Sequence, residues 1–331
     1  ADLPHRAADA LAGGTLDLSG NDLAVSGAFS VYDYLRLEGG ETITGTTPTF
    51  HTGSTAYYDG AAGPYTIKNY AYRKITINGG SVTDFYLPDD ITALGGVTVI
   101  NGTLNLCTSG NAGKTLTIGA DGSPATLNVY GGTLDGYLGN IQAYGDVYVQ
   151  SGSELIAPAS GKIFDIHGSL LFSGGTFTPG AGTVTLSGGN AAALQTGNVT
   201  FNGITIDKSD SAAVTVSDDL LIDGDLTITN GELILDSNTT LGGNLSIASG
   251  GALTKGSGAF TFGGSADAAW TDNTSSGQDL GTVSISKDSG KKVTLGSNVN
   301  ATTVEIETGN TLVLNGHTLV LTGGASPLTV T

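Results

Sequence analysis

Short runs of alternating apolar and polar residues recur along almost the whole chain, at intervals of about six or seven residues. Typical runs are Leu226-Thr227-Ile228, Leu233-Ile234-Leu235 and Leu245-Ser246-Ile247, each bounded by Gly, Asn, Asp or Ser. Alternation of this kind predicts strands with one buried face, and the bounding residues predict turns. Three short runs fill the interval from Leu226 to Leu245, where the pattern begins again.

Strands this closely spaced favour a solenoid over a sandwich or barrel, whose strands recur about every 8–12 residues. In a solenoid each short strand pairs with the equivalent strand of the next turn. We therefore predict an all-β fold, a three-sided parallel β-helix (β-solenoid) of about 19–20 residues per turn. The 53 glycines supply the corners that such a chain must turn.

A longer repeat is superimposed on these runs. Residues 75–106 align with residues 204–235 without a gap, and residues 283–314 form a looser third copy. Self-similarity of this kind marks an array architecture. We predict an N-terminal lead-in over residues 1–14 and a single solenoid over residues 15–331.

The repeat also predicts the backbone at its corners and the direction of its side chains. Gly102 and Gly231 follow asparagine at matching positions, which predicts two equivalent corners with positive φ. Period-two alternation predicts that Thr205, Thr215 and Thr227 point outward. The residues predicted to point inward are Ile204, Ile206, Val214, Val216, Leu226, Ile228, Leu233 and Leu235.

The charge balance limits the partners of this chain. The formal net charge is −18, with 30 acidic and 12 basic side chains. Nucleic acid and anionic membranes need clustered Lys and Arg, so we expect neither as a partner. Apolar runs stay well short of the roughly 18 residues of a membrane span, so we expect no membrane insertion.

Cys107, which continues a predicted strand, is expected to be a buried, inert thiol.

Two longer phrases resemble a known group of proteins. Residues 226–253 (LTITNGELILDSNTTLGGNLSIASGGAL) and 170–189 (LLFSGGTFTPGAGTVTLSGG) resemble bacterial β-strand-repeat surface proteins, related in architecture to filamentous haemagglutinin and autotransporter passenger domains. The resemblance covers most of residues 15–331. It implies a right-handed, three-sided parallel β-helix at the cell surface, with a role as adhesin, fibre or coat. The start at Ala1 and the absence of Met also predict a processed chain that has lost a secretory signal.

Paired carboxylates are the first candidates for chemistry. Asp89-Asp90 and Asp218-Asp219 invite an acid–base or calcium interpretation, as in β-helix enzymes that cleave acidic polysaccharides. The two pairs occupy the same repeat position, however, which favours turn residues that accept hydrogen bonds from backbone N–H groups. Catalysis needs a unique, convergent cluster, and the sequence offers none.

The histidines His5, His51, His167 and His317 stand alone and are interpreted as surface turn residues. We expect no enzyme activity, no cofactor and no metal.

All 12 tyrosines lie between Tyr32 and Tyr148. Tyrosine combines an apolar face with a polar tip, which suits contact with a sugar or a protein. It also suits longer excursions that cover the solenoid, and both interpretations stay open here. The candidate contact surface comprises Tyr57, Tyr58, Tyr65, Tyr70 and Tyr72.

The two ends of the chain share a phrase. Residues 15–27 (TLDLSGNDLAVSG) resemble residues 311–323 (TLVLNGHTLVLTG), and the last residues read as part of a strand with no cap. Uncapped solenoid edges pair with other chains. The candidate end-to-end interface comprises Leu16, Leu18, Leu23, Val25, Leu312, Leu314, Leu319 and Leu321.

These observations favour a secreted structural solenoid, a subunit of an extracellular filament or surface coat that assembles head to tail with itself. One alternative is a monomeric adhesin or passenger domain that binds glycans or matrix. Another is a polysaccharide-cleaving β-helix enzyme, which the scattered Lys and Arg residues disfavour.

Overall fold

The computed structural model describes residues 14–331, so the predicted lead-in lies outside the described part except for Gly14. Throughout that part the chain is all-β without a helix, and its parallel strands stack as a β-solenoid of about 15 turns. The predicted fold class is therefore confirmed, while the right hand and the three-sided cross-section stay predictions. In residues 14–331 no helix has the length and apolar character needed to cross a membrane.

Contacts within the chain define two compact units. The first contains residues 14–164 and 173–180, and the second contains residues 165–172 and 181–331. The strands of the first unit are β1 (Thr15–Asp17), β2 (Leu23–Val25), β3 (Ser30–Val31), β4 (Tyr34–Leu37), β5 (Ile43–Gly45), β6 (Thr49–Phe50), β7 (Thr55–Tyr58), β8 (Tyr65–Thr66), β9 (Tyr72–Asn78), β10 (Asp84–Tyr86), β11 (Ile91–Asn101), β12 (Thr103–Asn105), β13 (Thr115–Ile118), β14 (Leu127–Val129), β15 (Thr133–Asp135), β16 (Asn140–Ala143), β17 (Val147–Gln150), β18 (Glu154–Ile156) and β21 (Thr176–Thr178).

Two strands cross a boundary between the units: β19 (Phe164–Ile166) begins at the last residue of the long segment of the first unit, and the last residue of β20 (Leu170–Ser173) belongs to the first unit. The strands of the second unit are β20 (Leu170–Ser173), β22 (Thr183–Gly188), β23 (Ala192–Gln195), β24 (Thr200–Phe201), β25 (Gly203–Lys208), β26 (Ala213–Val216), β27 (Leu220–Ile222), β28 (Leu226–Leu235), β29 (Thr239–Leu241), β30 (Leu245–Lys255), β31 (Ala259–Phe262), β32 (Ala268–Asp272), β33 (Thr282–Ile285), β34 (Lys292–Leu295), β35 (Val299–Ala301), β36 (Thr303–Ile306), β37 (Thr311–Val313), β38 (Leu319–Leu321) and β39 (Leu328–Val330).

The length of a turn can be read from the residues that pair between neighbouring strands. Leu226 pairs with Leu245, so this turn has the length that the sequence predicts. The turn from Leu245 to its partner Trp270 is longer, and the turn from Val97 to its partner Leu127 is longer still. The predicted length is therefore that of the shortest turns. Longer turns carry extra residues between strands, where the added backbone does not disturb the paired core.

The predicted alternation is confirmed in the second unit. All eight residues predicted to point inward are buried, none with more than 1% of its surface exposed. Thr205, Thr215 and Thr227 alternate with them and are half-buried. The same interior holds Trp270 and Phe262, two of the largest buried side chains of this unit, whose ring centroids lie 5.7 Å apart.

The sequence repeat corresponds to a repeat of turn geometry. In the first copy Ile75 pairs with Val97, and in the second Ile204 pairs with Leu226, the same distance along the chain. In the strands that follow, the step along the chain between paired residues is shorter. It is the same from Phe85 to its partner Leu104 and from Val214 to its partner Leu233. This shorter step returns in the third copy, where Val293 pairs with Leu312. Similar residues therefore recur where similar corners recur.

Both predicted glycine corners are confirmed, with φ of 81° at Gly102 and 78° at Gly231. A side chain at Gly231 would also be crowded. Its Cβ would lie 2.5 Å from Cβ of Lys208 and 2.7 Å from the carbonyl oxygen of Ala212. Gly290 has a similar φ of 82°, but a Cβ there would meet no atom within 4 Å.

This pair of glycines separates backbone strain from crowding. We expect Gly290→Ala to lower the free energy of unfolding by about 1 kcal/mol, because alanine disfavours the left-handed region. Gly231→Ala should cost roughly 1–3 kcal/mol more, because the neighbouring backbone must also shift. Urea unfolding of both variants measures the difference, and equal losses would contradict the crowding argument.

A second test concerns the direction of neighbouring side chains. Ile228→Asp should lower the free energy of unfolding by more than about 3 kcal/mol, because it places an unpaired carboxylate in the apolar interior. Thr227→Asp adds the same charge one residue earlier on the half-buried side and should cost less than about 1 kcal/mol. Urea unfolding midpoints of the two variants decide whether this register is right.

Candidate functional site

The paired carboxylates lie at turn corners and accept hydrogen bonds from neighbouring turns. Asp90 accepts the N–H of Thr115 at 2.8 Å. Asp218 accepts the N–H groups of Thr196 and Gly197, at 3.1 and 2.8 Å. Asp219 accepts the Ser237 hydroxyl at 2.5 Å, which lowers the pKa of this carboxyl. These contacts support the interpretation of the Asp pairs as turn residues.

Asp89 differs from its repeat partner because it forms an ion pair. Its Oδ1 lies 3.0 Å from Nζ of Lys114, and the hydrogen bond from this lysine lowers the pKa of the carboxyl. Asp89 is largely exposed, so this pair contributes little to stability.

Asparagine extends the corner pattern over several turns. Asp225 accepts the N–H of Asn244 at 2.7 Å, and Asn244 Oδ1 in turn accepts the N–H of Ala269 at 2.8 Å. A second series runs from Asp219 through Asn238 to Ala259. Each side chain satisfies a backbone donor that the strands leave free at the corner. Sequence reasoning about single turns misses these series, because their members lie 19 to 25 residues apart.

Two buried lysines join successive turns. Nζ of Lys208 donates to the carbonyl oxygens of His167, at 2.7 Å, and Ser187. Nζ of Lys287 donates to the carbonyl oxygens of Gly242, at 2.9 Å, and Gly263. In each case the acceptors belong to two earlier turns, so one ammonium group connects three turns.

Sequence comparison could have found these lysines, since Lys208 and Lys287 occupy equivalent positions of the second and third copies. Both side chains are buried, with 0% and 5% of their surface exposed. Burial lowers the pKa of Lys287. For both lysines these acceptors are backbone carbonyls, so each ammonium group holds the backbone of earlier turns.

Replacing the ammonium group should loosen three turns. We expect Lys287→Met, which keeps the length of the side chain, to lower the free energy of unfolding by about 2–3 kcal/mol because two carbonyls lose a charged donor. The control Lys292→Met removes the same charge from an exposed side chain and should change it by less than about 0.5 kcal/mol. Amide hydrogen exchange near Gly242 and Gly263 should increase in Lys287→Met alone, and unchanged exchange would contradict the connection.

The candidate tyrosine surface is wrong for two of its five residues. Tyr58 and Tyr72 are buried in the core, with 0% and 1% of their surface exposed. Their hydroxyls lie 2.7 Å apart, Tyr58 accepts the N–H of Lys68 at 3.0 Å, and Tyr72 donates to the Lys68 carbonyl. Burial raises the pKa of both phenols. These tyrosines therefore hold an excursion of the chain against the core, which is the second interpretation that the sequence left open.

The other three tyrosines of this segment are half-buried. Tyr57 accepts a hydrogen bond from Asn78 at 2.6 Å. Tyr65 stacks on Phe85 with centroids 5.6 Å apart, and Tyr70 lies 5.8 Å from the ring of Tyr72. Tyr65 and Tyr70 contact aromatic rings of the core, whereas Tyr57 lies on the outward side of β7 between buried Ala56 and Tyr58. The five residues therefore do not form one exposed aromatic patch.

The candidate end-to-end residues near the C-terminus lie on strands that pair on one side only. β37 pairs with β34, β38 with β35 and β39 with β36, and no described strand lies on their other side. Apolar side chains on these strands or directly after them are only partly covered, with 46% of Leu314, 49% of Leu328 and 70% of Val330 exposed. One turn earlier, Leu295 and Val299 are fully buried. The last described turn thus presents an apolar edge.

The N-terminal candidates lie on strands with a similar arrangement. Among residues 14–331, β1, β2 and β3 pair only with β4, β5 and β6. Leu18 is fully buried, whereas Leu16, Leu23 and Val25 are half-buried. At the other end Leu312, Leu319 and Leu321 are half-buried in the same way.

The remaining candidates do not converge on a metal or catalytic centre. Cys107 is buried, as expected, and burial raises the pKa of its thiol. His51 stacks on Tyr32 at 4.1 Å, and Nε2 of His167 lies 3.3 Å from Asp165. In the described part of the chain, no three His, Cys, Asp or Glu residues are placed to hold a metal ion. His5 lies outside that part.

Comparison with known proteins gives no relative: no protein-family model, curated protein or solved structure matches the chain.

Proposed function

We propose that this protein is a structural β-solenoid that assembles end to end into an extracellular filament or surface coat, with a second copy as its partner. The partly exposed apolar edge of the last described turn is the observation that carries this proposal. Three consecutive strands, β37 to β39, leave both backbone groups and inward-facing leucines available on that edge. Such an edge favours pairing with another strand over contact with water.

Two strands at the other end, β1 and β2, match β37 and β38 of this edge in order and spacing. The shared phrase aligns residues 312–314 with 16–18 and residues 319–321 with 23–25. Pairing in this order joins two apolar interiors, and because it is a head-to-tail contact it propagates as a filament.

The acidic character of the chain gives this contact a distinct response to salt. Copies with a net charge of −18 repel one another at low ionic strength. Added salt screens that repulsion and leaves strand pairing and apolar contact in place. The proposed assembly therefore persists at high salt. Extracellular location and the absence of enzyme activity stay predictions.

Two substitutions on β38 test the proposal. Leu321→Asp places a charge on the inward side and should weaken association at least about tenfold, because burying a leucine contributes roughly 1.5–3 kcal/mol. Val320→Asp adds the same charge to the outward side, 45% exposed, and should change association less than about twofold. Sedimentation velocity over a concentration series, with negative-stain imaging, measures both variants and the wild type.

The material for this experiment is the 331-residue protein with a verified mass near 33.0 kDa. Circular dichroism spectra confirm that both variants fold. A wild type that stays monomeric at the highest concentration overturns the proposal, and so does equal weakening by the two substitutions. Monomers would favour the alternative of an adhesin that acts as a single chain.

A further inference from the structure

One sheet face of the first unit gathers aromatic and amide side chains from three neighbouring strands, β11, β14 and β17. The apolar residues Val97, Leu127 and Val147 pair in register and are buried. Alternation therefore directs the next residue of each strand outward. These outward residues, Thr98, Asn128 and Tyr148, pair with one another across the three strands.

A second outward series follows two residues later. Val99, Val129 and Val149 pair in register inside, and Ile100, Tyr130 and Gln150 come directly after them. Ile100 and Tyr130 are among the few large apolar side chains exposed on the described chain, at 39% and 42%. They directly follow the paired residues Val99 and Val129 of the neighbouring strands β11 and β14.

Hydrogen bonds hold the tyrosine rings on this face. The Tyr148 hydroxyl donates to Asp146 at 3.1 Å, and the Tyr130 hydroxyl donates to Asn128 at 3.3 Å. Each bond joins residues two positions apart along the chain, so both partners lie on the same face of the sheet. Because these bonds fix the rings before any ligand arrives, binding costs less side-chain entropy.

The chemistry of this face selects a class of ligand. Tyrosine faces offer apolar contact to the C–H faces of a sugar ring, and amide and carboxylate oxygens accept hydrogen bonds from its hydroxyls. None of the six outward positions carries a positive charge, and Asp146 beside them is negative. A polyanion would be repelled here, whereas an uncharged polymer with many hydroxyls would not.

We infer that the outward face of β11, β14 and β17, with Tyr130 and Tyr148 as its aromatic contacts, binds a neutral polysaccharide. The site lies far along the chain from β37 to β39 and does not depend on end-to-end assembly. Binding and assembly can therefore succeed or fail separately.

Affinity electrophoresis of the 331-residue protein tests this inference, in gels that contain hydroxyethylcellulose, xyloglucan or galactomannan. We expect the wild type to be retarded by at least one of these neutral polymers. Tyr130→Ala and Tyr148→Ala should each raise the dissociation constant at least about fivefold, since each removes an aromatic contact. Tyr130→Phe keeps the ring and should stay within about twofold of the wild type.

Tyr137→Ala is the matched control, because Tyr137 is 51% exposed and lies outside this face. It should bind like the wild type, and circular dichroism confirms the fold of every variant. The inference is overturned if no neutral polymer retards the wild type, if only anionic polymers such as alginate or pectate do so, or if Tyr137→Ala weakens binding as much as Tyr130→Ala. Leu321→Asp, the assembly variant, should bind the polymer normally.

Discussion

Parallel pairing between successive turns is the constraint on which the rest of this molecule depends. Where Leu226 pairs with Leu245, every inward position repeats above another inward position, so the interior must be apolar at each step. The same pairing leaves backbone donors and acceptors free at the corners. Asp225 and Asn244 satisfy donors there, while Lys287 satisfies acceptors. Core composition and corner chemistry both follow from this single arrangement.

The local features of the fold could be predicted from the sequence because they have short periods. Alternation over two residues predicts which side of a strand is buried, and Asn-Gly pairs predict corners. Burial of Tyr72 escaped this reasoning for a physical reason. Both Tyr72 and Ile75 are buried although an odd number of positions separates them, because the register shifts opposite Ala93 and Gly96. Counting alternate positions fails across such an irregularity.

The surface features depend on the length of each turn, which the sequence predicts less well. Asn128 pairs with Thr98 only because the turn from Val97 to Leu127 is much longer than the sequence predicts. The last turn was easier to predict, since its phrase recurs near the beginning of the chain. Lys208 and Lys287 could be predicted only in part. The repeat shows that they occupy equivalent positions, but their burial and their contacts with two earlier turns become evident only in the structure.

The lysine contacts have a consequence for how the solenoid responds to mechanical load. Tension applied from the C-terminal side first separates β37, β38 and β39 from their partners β34, β35 and β36. Unravelling then reaches Lys287, where release of one turn also breaks contacts to Gly242 and Gly263 in the two turns behind it. We therefore expect a step in the unravelling force at Lys287, and a second one at Lys208, which joins three turns in the same way.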